Sequence, residues 1–244
     1  MFDSRYEVYL ADTKQSRSLH HQVRYQVFCV ERGFEEPDKF ANYQELDPWD
    51  GHSHHFVVQD RESGAGVAAG RIVLPTAGQL PVEGLGCITA PPAVAVSGLQ
   101  VAEVSRICMV RDDVTSGPGL PIQAVSRSNE SEVLLGLIRA VIRYSWDNEI
   151  PYLYMLVTRS LARLLKRLGV DCTQVGEDIE HRGLRAPYLI DINESWRGLV
   201  ARSGEVAEMF SRHHLAYFSH AEMQPQRMPS KVAFVGAGPQ KAAA

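Results

Sequence analysis

Apolar residues recur along the chain with two periods, and the change of period predicts helices and strands. Over residues 19–30 the apolar side chains of Leu19, Val23 and Val27 share one helical face. The same period over residues 131–146 and 160–168 predicts two more helices. Gly169 follows the last of these, as expected for a glycine that caps a helix.

Short apolar runs bounded by Gly, Pro and charged residues predict strands. A seven-residue polar turn joins the first two runs, which therefore form a hairpin, and Pro75 ends the second. The order of helices and strands predicts a single α/β domain with a sheet of mixed strand direction. The predicted strands cover residues 55–59, 67–74, 101–110, 152–157 and 187–192.

The remaining segments read as connectors and a tail. Residues 34–51 form an acidic loop, and residues 76–99 form a long connector that has room for a short helix. Residues 196–212 are expected to form a terminal helix. We expect one domain over residues 1–222 and a flexible tail, rich in Pro, Gly and Ala, over residues 223–244.

Composition and charge narrow the possible functions. The chain has 244 residues, 45% of them hydrophobic and 22% charged, which is ordinary for a globular protein. A net charge of -4 argues against a broad nucleic-acid interface. Four cysteines without a CxxC pair are expected to be reduced thiols. The sequence carries no apparent secretory signal or membrane span, so we expect a cytoplasmic protein.

Charged residues interrupt the apolar segments in a regular way. Arg71 lies within the second strand of the hairpin, and Glu103 and Arg106 lie within residues 101–110. A charge in a buried strand needs water, a partner or a ligand, because burying it alone costs several kcal/mol or more. Arg24 and the acidic loop supply opposite charges, so we expect these residues to meet in one polar site.

In their order and spacing these residues resemble the acyl-homoserine-lactone (autoinducer) synthases. More broadly they resemble the branch of the GNAT acyltransferases that includes N-acyl amino acid synthases and exosortase-associated acyltransferases. The resemblance spans roughly residues 5–192 and departs from the autoinducer synthases at Phe34, where those enzymes usually carry Trp. It rests on Arg24, Phe28, Glu31, Phe34, Glu45-x-Asp47-x-x-Asp50, Arg71 and Glu103-x-Ser105-Arg106.

The resemblance implies a GNAT-like acyl-CoA N-acyltransferase fold. Such a fold has a central twisted sheet, mixed but mostly antiparallel, which is flanked by helices and contains one splayed pair of parallel strands. Here the splayed strands would be residues 105–110 and 152–158, and the pantetheine arm of the donor would enter between them. The acyl and pantetheine cleft would be lined by Ile107, Cys108, Met109, Val110, Met155, Leu156, Val157 and Thr158.

The resemblance also implies a bacterial enzyme that transfers a medium or long fatty acyl chain to an amine. A carboxylate must then take a proton from the amine, and Glu45 and Glu103 are both candidates. Ser105 and Arg106 are placed with them as catalytic residues, and backbone N–H groups of residues 106–110 are candidates to stabilise the oxyanion. The arginines would hold the acidic loop in a site made of Arg24, Phe28, Phe34, Asp47, Asp50 and Arg71.

The donor is expected to be an acyl chain on the phosphopantetheine of acyl carrier protein, with acyl-CoA as the other possibility. The acetyl-CoA pyrophosphate motif is missing, and Asp112 and Asp113 stand where a phosphate would be repelled. We expect no bound cofactor and no metal, because the spacing of His52, His54 and His55 is not a trusted ligand pattern. A basic helix is a candidate dock for the acidic carrier through Arg159, Arg163, Lys166 and Arg167.

Three functions remain open at this stage. The first is acylation of the amine of an amino acid or a similar small molecule. The second is an autoinducer synthase that uses S-adenosylmethionine, which Phe34 and the tail weigh against. The third is a protein that binds acyl groups or a partner without catalysis, which the carboxylates weigh against. Cys108 is not expected to be a nucleophile, because no His–Asp pattern accompanies it.

Overall fold

A computed structural model describes residues 2–75, 79–89, 100–111 and 120–223. Its centre is a nine-stranded sheet with the strand order β6-β8-β5-β4-β3-β2-β1-β9, and β7 pairs with β8 beside this path. The strands are β1 (Tyr6–Leu10), β2 (Ser53–Asp60), β3 (Gly66–Val73), β4 (Val101–Met109), β5 (Tyr152–Val157), β6 (Cys172–Gln174), β7 (Ile179–Glu180), β8 (Leu184–Asp191) and β9 (Phe218–Ser219).

Helices cover both faces of the sheet. The second helix continues into a π-helical segment, Gln26–Glu31, and π-helical turns are often found at functional sites. Among the described residues no helix is long and apolar enough to cross a bilayer. The α-helices are α1 (Phe2–Arg5), α2 (Lys14–Tyr25), α3 (Pro81–Gly84), α4 (Glu130–Asp147), α5 (Arg159–Leu168), α6 (Ile192–Val200), α7 (Gly204–Ser211) and α8 (His220–Met223).

The strand pairing creates an opening in the middle of the sheet. Neighbouring strands are antiparallel except for β1 with β9 and β4 with β5. The parallel register of β4 and β5 runs from Val101 and Tyr152 to Glu103 and Tyr154 and ends there, although both strands continue. The two strands therefore diverge beyond Glu103, and the predicted splayed pair is confirmed with its branch point at that residue.

The two faces of the sheet differ in composition. The face under α4 carries the main apolar core, in which Phe56, Ile72 and Val104 are almost completely buried. The face under α2 carries two smaller apolar clusters, one around Val23 and Cys108 and one around α3. Charged residues lie between these two clusters, so the polar site is enclosed by apolar packing on either side.

Several sequence predictions need correction or extension. The expected terminal helix over residues 196–212 is two helices, α6 and α7, because the chain turns at residues 201–203 and Ser203 caps the second. Strands β1, β6, β7 and β9 were not predicted, since they are short or lack a clear alternation. Gly169 caps α5 in the left-handed conformation, as predicted. The predicted tail lies outside the described residues apart from Met223, as does the acidic segment at residues 112–113.

Candidate active site

A bulge in the sheet sets the direction of Arg106. The register of β3 and β4 shifts between Ala69 and Arg71, so that β4 carries one extra residue there. Arg106 lies at this shift with φ of 52°, a conformation that residues other than glycine rarely adopt. With strict alternation Arg106 would point away from Ser105. The bulge lets both side chains reach the α2 face, where the other charged residues lie.

Arg24 forms the fully buried part of the charged site. It comes from the last turn of α2, next to the apolar stripe that holds this helix on the sheet. Its Nε donates to Glu45 Oε2 over 2.5 Å, and its Nη1 donates to Asp50 Oδ1 over 2.6 Å. The acidic loop is thereby fixed to a helix in the core.

Arg71 holds the same loop from β3. Its Nη1 and Nη2 donate to the two oxygens of Asp47 over 2.6 and 2.8 Å, a bidentate pair that only arginine can make. Nη1 also donates to Asp50 Oδ1 over 2.6 Å, and Nε donates to Ser105 Oγ over 3.0 Å. Ser105 is therefore a partner of Arg71 in this structure.

Arg106 completes the group of three arginines. Its Nη2 lies 3.3 Å from Glu45 Oε1 and 2.9 Å from Asp47 Oδ2, and its guanidinium stacks 5.5 Å from the centre of the Phe28 ring. We call these six residues the ion-pair network: Arg24, Glu45, Asp47, Asp50, Arg71 and Arg106. Three guanidiniums and three carboxylates balance one another, which explains how so many charges are buried together.

The acidic loop also forms its own hydrogen bonds. Asp47 caps the short 3-10 turn Pro48–His52 by accepting from the N–H of Trp49 over 2.9 Å, and Asp50 Oδ2 accepts from the N–H of Asp47 over 2.7 Å. Each aspartate thus bonds both to the turn and to an arginine. Burial tends to raise the pKa of Asp47 and Asp50, but Arg71 and Arg24 outweigh it and lower both pKa values. These carboxylates stay ionised and act as anchors.

Glu103 lies in a different environment. It is 3% exposed, and its Oε2 accepts a 2.7 Å hydrogen bond from the backbone N–H of Val82, in α3. Burial raises the pKa of this carboxyl to about 7, although the Val82 N–H and Arg71 act in the opposite direction. Glu103 is thus able to take up and release a proton near neutral pH. It lies at the branch point of β4 and β5.

The residues predicted to line the acyl cleft divide between the two faces of the sheet. Ile107 and Met155 line an apolar cavity beside the splayed strands, together with Val104, Leu137 and Leu153. Met109 and Val157 pack in the main core, Cys108 and Val110 pack under α2, and Leu156 packs near α3. Thr158 caps α5 by accepting from the N–H of Leu161. Burial raises the pKa of Cys108 to about 12, which keeps its thiol protonated.

A second group of cations lies near Phe34, which sequence reasoning did not find. The Arg185 guanidinium lies 5.8 Å from the centre of the Phe34 ring, and Arg182 forms an ion pair with Glu35. The pKa of Arg185 is lowered by burial and by the charges of Arg182 and Arg106. Arg185 belongs to no recognisable sequence motif, and only the fold brings it near the acidic loop.

The basic residues of α5 lie on its outer side. Arg159, Arg163, Lys166 and Arg167 are all exposed, while Ala162 and Leu165 face the core. Arg159 forms an ion pair with Asp178 over 3.0 Å, and Arg163 donates to Ser160. The predicted carrier dock is therefore an accessible surface, and docking itself stays a prediction.

Three histidines form a buried cluster beneath the network. His20 and His21 come from α2 and His55 from β2, and one ring nitrogen from each lies within 4.8 Å of the others. Burial lowers the pKa of His21 and of His55 to about 4 and that of His20 well below its usual value, so these rings are neutral at pH 7. His54 points to the other face and packs on Tyr144.

Comparisons with known proteins agree with this geometry. Residues 23–119 match the acetyltransferase (GNAT) domain family, and no curated protein sequence is similar enough to count as a relative. The solved structure of the AHL synthase LasI matches with 21% identity and a TM-score of 0.57, covering 80% of this chain and 94% of that one. The chain has the GNAT fold.

Two further solved structures broaden the picture. FeeM, an N-acyl amino acid synthase from uncultured soil microbes, matches with 17% identity and a TM-score of 0.55, covering 81% of this chain and 97% of that one. BjaI, a CoA-dependent acyl-homoserine lactone synthase solved with SAM and isopentyl-CoA, matches with 15% identity and a TM-score of 0.56, covering 88% of this chain and 92% of that one. The predicted resemblance and GNAT-like fold are confirmed, and the predicted acyltransferase is supported.

Proposed function

We propose that the protein is an N-acyltransferase that moves a fatty acyl chain from a thioester donor to the amine of an amino acid or a similar small molecule. The observation that carries this proposal is Glu103. It is a buried carboxyl whose pKa is raised to about 7, at the point where β4 and β5 separate. A carboxylate at the branch point of a GNAT sheet is well placed to accept a proton from an incoming amine.

In the proposed reaction Glu103 is the general base. The acceptor's ammonium gives one proton to the Glu103 carboxylate, directly or through one water. The neutral amine then attacks the thioester carbonyl carbon, the C–S bond breaks, and the amide nitrogen loses its second proton as the thiolate leaves as a thiol. Glu45 is a poorer candidate for the base, because its two oxygens already face Arg24 and Arg106.

The ion-pair network has a positioning role in this proposal. It fixes the acidic loop against α2 and β3 through Arg24 and Arg71, and Arg106 of β4 joins the same rigid unit through Glu45 and Asp47. A site held by buried bidentate pairs keeps its geometry during the reaction. We propose that the acyl chain enters at the apolar cavity beside Ile107 and Met155, whose volume of about 40 Å³ has to widen to hold a full chain.

The cations near Phe28 and Phe34 favour an acceptor that has a carboxylate and lacks a sulfonium. Arg106 and Arg185 already lie over Phe28 and Phe34, where an acceptor cation would otherwise find an aromatic ring. The sulfonium of S-adenosylmethionine would meet like charges there, whereas an amino acid brings its carboxylate to these cations without a sulfonium. This supports acylation of an amino acid over the synthesis of an acyl lactone.

The donor is proposed to be acyl carrier protein, with acyl-CoA as the second candidate. The exposed basic side of α5 is complementary to an acidic carrier on an enzyme whose net charge is -4. BjaI, which has the same fold, is described as CoA-dependent, so both donors belong in the test.

The test is a product analysis with purified full-length protein. The protein is incubated with acyl carrier protein thioesters or acyl-CoA, together with either a mixture of amino acids or S-adenosylmethionine, and products are identified by mass spectrometry. We expect an N-acyl amino acid, and Glu103→Gln should lower its rate of formation by about 10²- to 10⁴-fold. Glu194→Gln is the matched control, because Glu194 lies at the exposed start of α6 and pairs with Arg197, and its rate should stay within about twofold.

The alternatives give different results. An acyl lactone formed only with S-adenosylmethionine would favour an autoinducer synthase and overturn the proposed acceptor. No product with any pair of substrates, together with tight binding of the acyl donor, would favour a protein that binds without catalysis. Equal rates for the Glu103→Gln variant and the unmodified protein would exclude Glu103 as the base.

A further inference from the structure

The buried histidine cluster has no role in the proposed acyl transfer. His20 and His55 are 0% and 3% exposed, and His21 is 6% exposed. Their rings meet nearly edge to face, with centres 4.6 Å apart for His20 and His55 and 5.4 Å apart for each of them with His21. Three buried imidazole rings in contact need hydrogen-bond or ligand partners, because each ring has two nitrogens that must be satisfied.

Two backbone carbonyls determine which nitrogens of the cluster carry hydrogen. His20 Nδ1 lies 3.0 Å from the carbonyl oxygen of Phe56, and His55 Nε2 lies 3.2 Å from that of Asp50. A carbonyl oxygen only accepts hydrogen bonds, so each of these two nitrogens donates. In neutral rings the remaining nitrogens, His20 Nε2 and His55 Nδ1, then both present lone pairs.

These two lone pairs face each other. His20 Nε2 and His55 Nδ1 are 3.2 Å apart, which is hydrogen-bond distance. A hydrogen bond needs a hydrogen on one of the two nitrogens, and in these tautomers neither nitrogen carries one. A cation between them removes the conflict. For a tetrahedral ion with metal–nitrogen bonds of about 2.0–2.1 Å, neighbouring ligand atoms are about 3.3 Å apart, which fits the observed separation.

The third ring supplies an independent observation. His21 Nε2 is buried and has no hydrogen-bond partner among the residues that the structure describes. An unsatisfied buried nitrogen of this kind is rare in folded proteins and is costly to keep. A ligand in the cluster would account for it. The same ligand would also account for the facing lone pairs of His20 and His55.

We propose that His20, His21 and His55 bind one divalent transition-metal ion of the zinc class. The carbonyls of Phe56 and Asp50 would orient the His20 and His55 ligands by accepting their other N–H groups, which is a common arrangement in metal sites. The ion would tie α2 to β2 and to the turn that carries Asp50, directly beneath the ion-pair network. This role is structural and does not depend on the proposed acyl transfer.

The first experiment uses the unmodified full-length chain, prepared without a histidine tag. The protein is treated with a chelator, dialysed against Zn²⁺ and then against metal-free buffer, and its metal content is measured by mass spectrometry. We expect about one zinc ion per chain and a rise of several degrees in Tm on adding Zn²⁺ to the stripped protein. Less than about 0.1 ion per chain and an unchanged Tm would overturn the proposal and leave a shared proton as the explanation.

Two substitutions then locate the ion. His21→Gln should lower the zinc content at least about tenfold, because it removes a ligand while keeping a side chain of similar reach. His54→Gln is the matched control, since His54 precedes His55 but packs on Tyr144 on the other face, and its zinc content should be unchanged. Equal zinc content in the His21→Gln variant and the unmodified protein would place any binding elsewhere and overturn the proposal. Should His21→Gln fail to fold, X-ray absorption spectroscopy of the zinc-loaded unmodified chain decides: three imidazole ligands are expected, and sulfur ligands or fewer than two imidazoles would overturn the proposal.

Discussion

The candidate site has two parts, and the pKa values of their carboxyl groups are shifted in opposite directions. In the ion-pair network Asp47 and Asp50 each bond to an arginine, and their pKa values are lowered. At the branch point of the strands Glu103 is more deeply buried, its hydrogen-bond donor is a neutral backbone N–H, and its pKa is raised to about 7. Burial tends to raise the pKa in both parts, and the arginines outweigh this effect for Asp47 and Asp50 but not for Glu103.

This difference explains how one site can be both rigid and reactive. Carboxylates that are permanently ionised hold their arginines at fixed positions but are unsuited to exchanging protons at neutral pH. A buried carboxyl without a charged partner exchanges protons easily but contributes little to rigidity. In the proposed function the network supplies the frame and Glu103 supplies the base, and the predictions below separate these two roles.

The largest expected effect is on stability. Arg24→Met removes a fully buried guanidinium and leaves Glu45 and Asp50 without their main partner, so the free energy of unfolding should fall by about 3–5 kcal/mol. Urea denaturation at pH 7 measures this change. Arg143→Met is the control, because Arg143 pairs with Asp147 at the surface and its loss should cost about 0.5 kcal/mol. Similar losses in both variants would contradict the proposed frame.

A second prediction concerns the pH dependence of stability. Because the pKa of Glu103 is about 7 in the folded state and about 4.3 in an unfolded chain, the folded protein holds this proton more tightly. Glu103 therefore does not weaken the fold below about pH 4, and it destabilises the fold increasingly as the pH rises toward 7, by an amount on the order of 3 kcal/mol. Glu103→Gln should remove this decline.

Urea denaturation of both proteins across this pH range measures the effect. The Glu103→Gln variant should be the more stable protein at pH 8, where the unmodified protein carries a buried charge. Ser105→Ala is a control on the same strand, since it lacks a titrating group and should shift stability equally at each pH. Parallel pH profiles for Glu103→Gln and the unmodified protein would contradict the raised pKa.

The ion-pair network could be predicted from the sequence more completely than the environment of Glu103. The charges of Arg24, Arg71 and Arg106 stand out within apolar segments, so their meeting with the acidic loop could be predicted. The choice between Glu45 and Glu103 as the base could not be made, because it depends on Val82. That residue lies in a connector without periodicity, and only the folded chain brings its N–H to Glu103.

Other parts of the site had no local signal at all. The positive φ of Arg106 results from a bulge between two strands, which a single strand pattern does not reveal. The histidine cluster combines neighbours on α2 with His55 of β2, and of the three histidines that the sequence brought to attention, His52, His54 and His55, only the last belongs to it. Long-range register and not residue type determines such contacts, whereas the helices and the longer strands follow from their periods.

The smallest effect concerns a surface outside both parts of the site. Reversing the charges of Arg163 and Arg167 should raise the KM for acyl carrier protein by about tenfold and leave the kcat and the KM for acyl-CoA unchanged. Steady-state kinetics with both donors measures this. The matched control reverses two other exposed arginines, Arg197 and Arg202, in and just after α6. This control should leave the KM for acyl carrier protein unchanged. An unchanged KM for the carrier would exclude α5 as its dock.

The pH dependence of kcat/KM for amide formation tests the central claim most directly. With one acceptor used throughout, the unmodified protein should lose activity about tenfold per pH unit below about pH 7, as the Glu103 carboxylate becomes protonated. The residual activity of Glu103→Gln should not show this decline. Ionisation of the acceptor amine affects both proteins equally and therefore cannot account for a difference between their profiles. The same decline in both proteins would assign the base to another group and contradict the division of the site into frame and base.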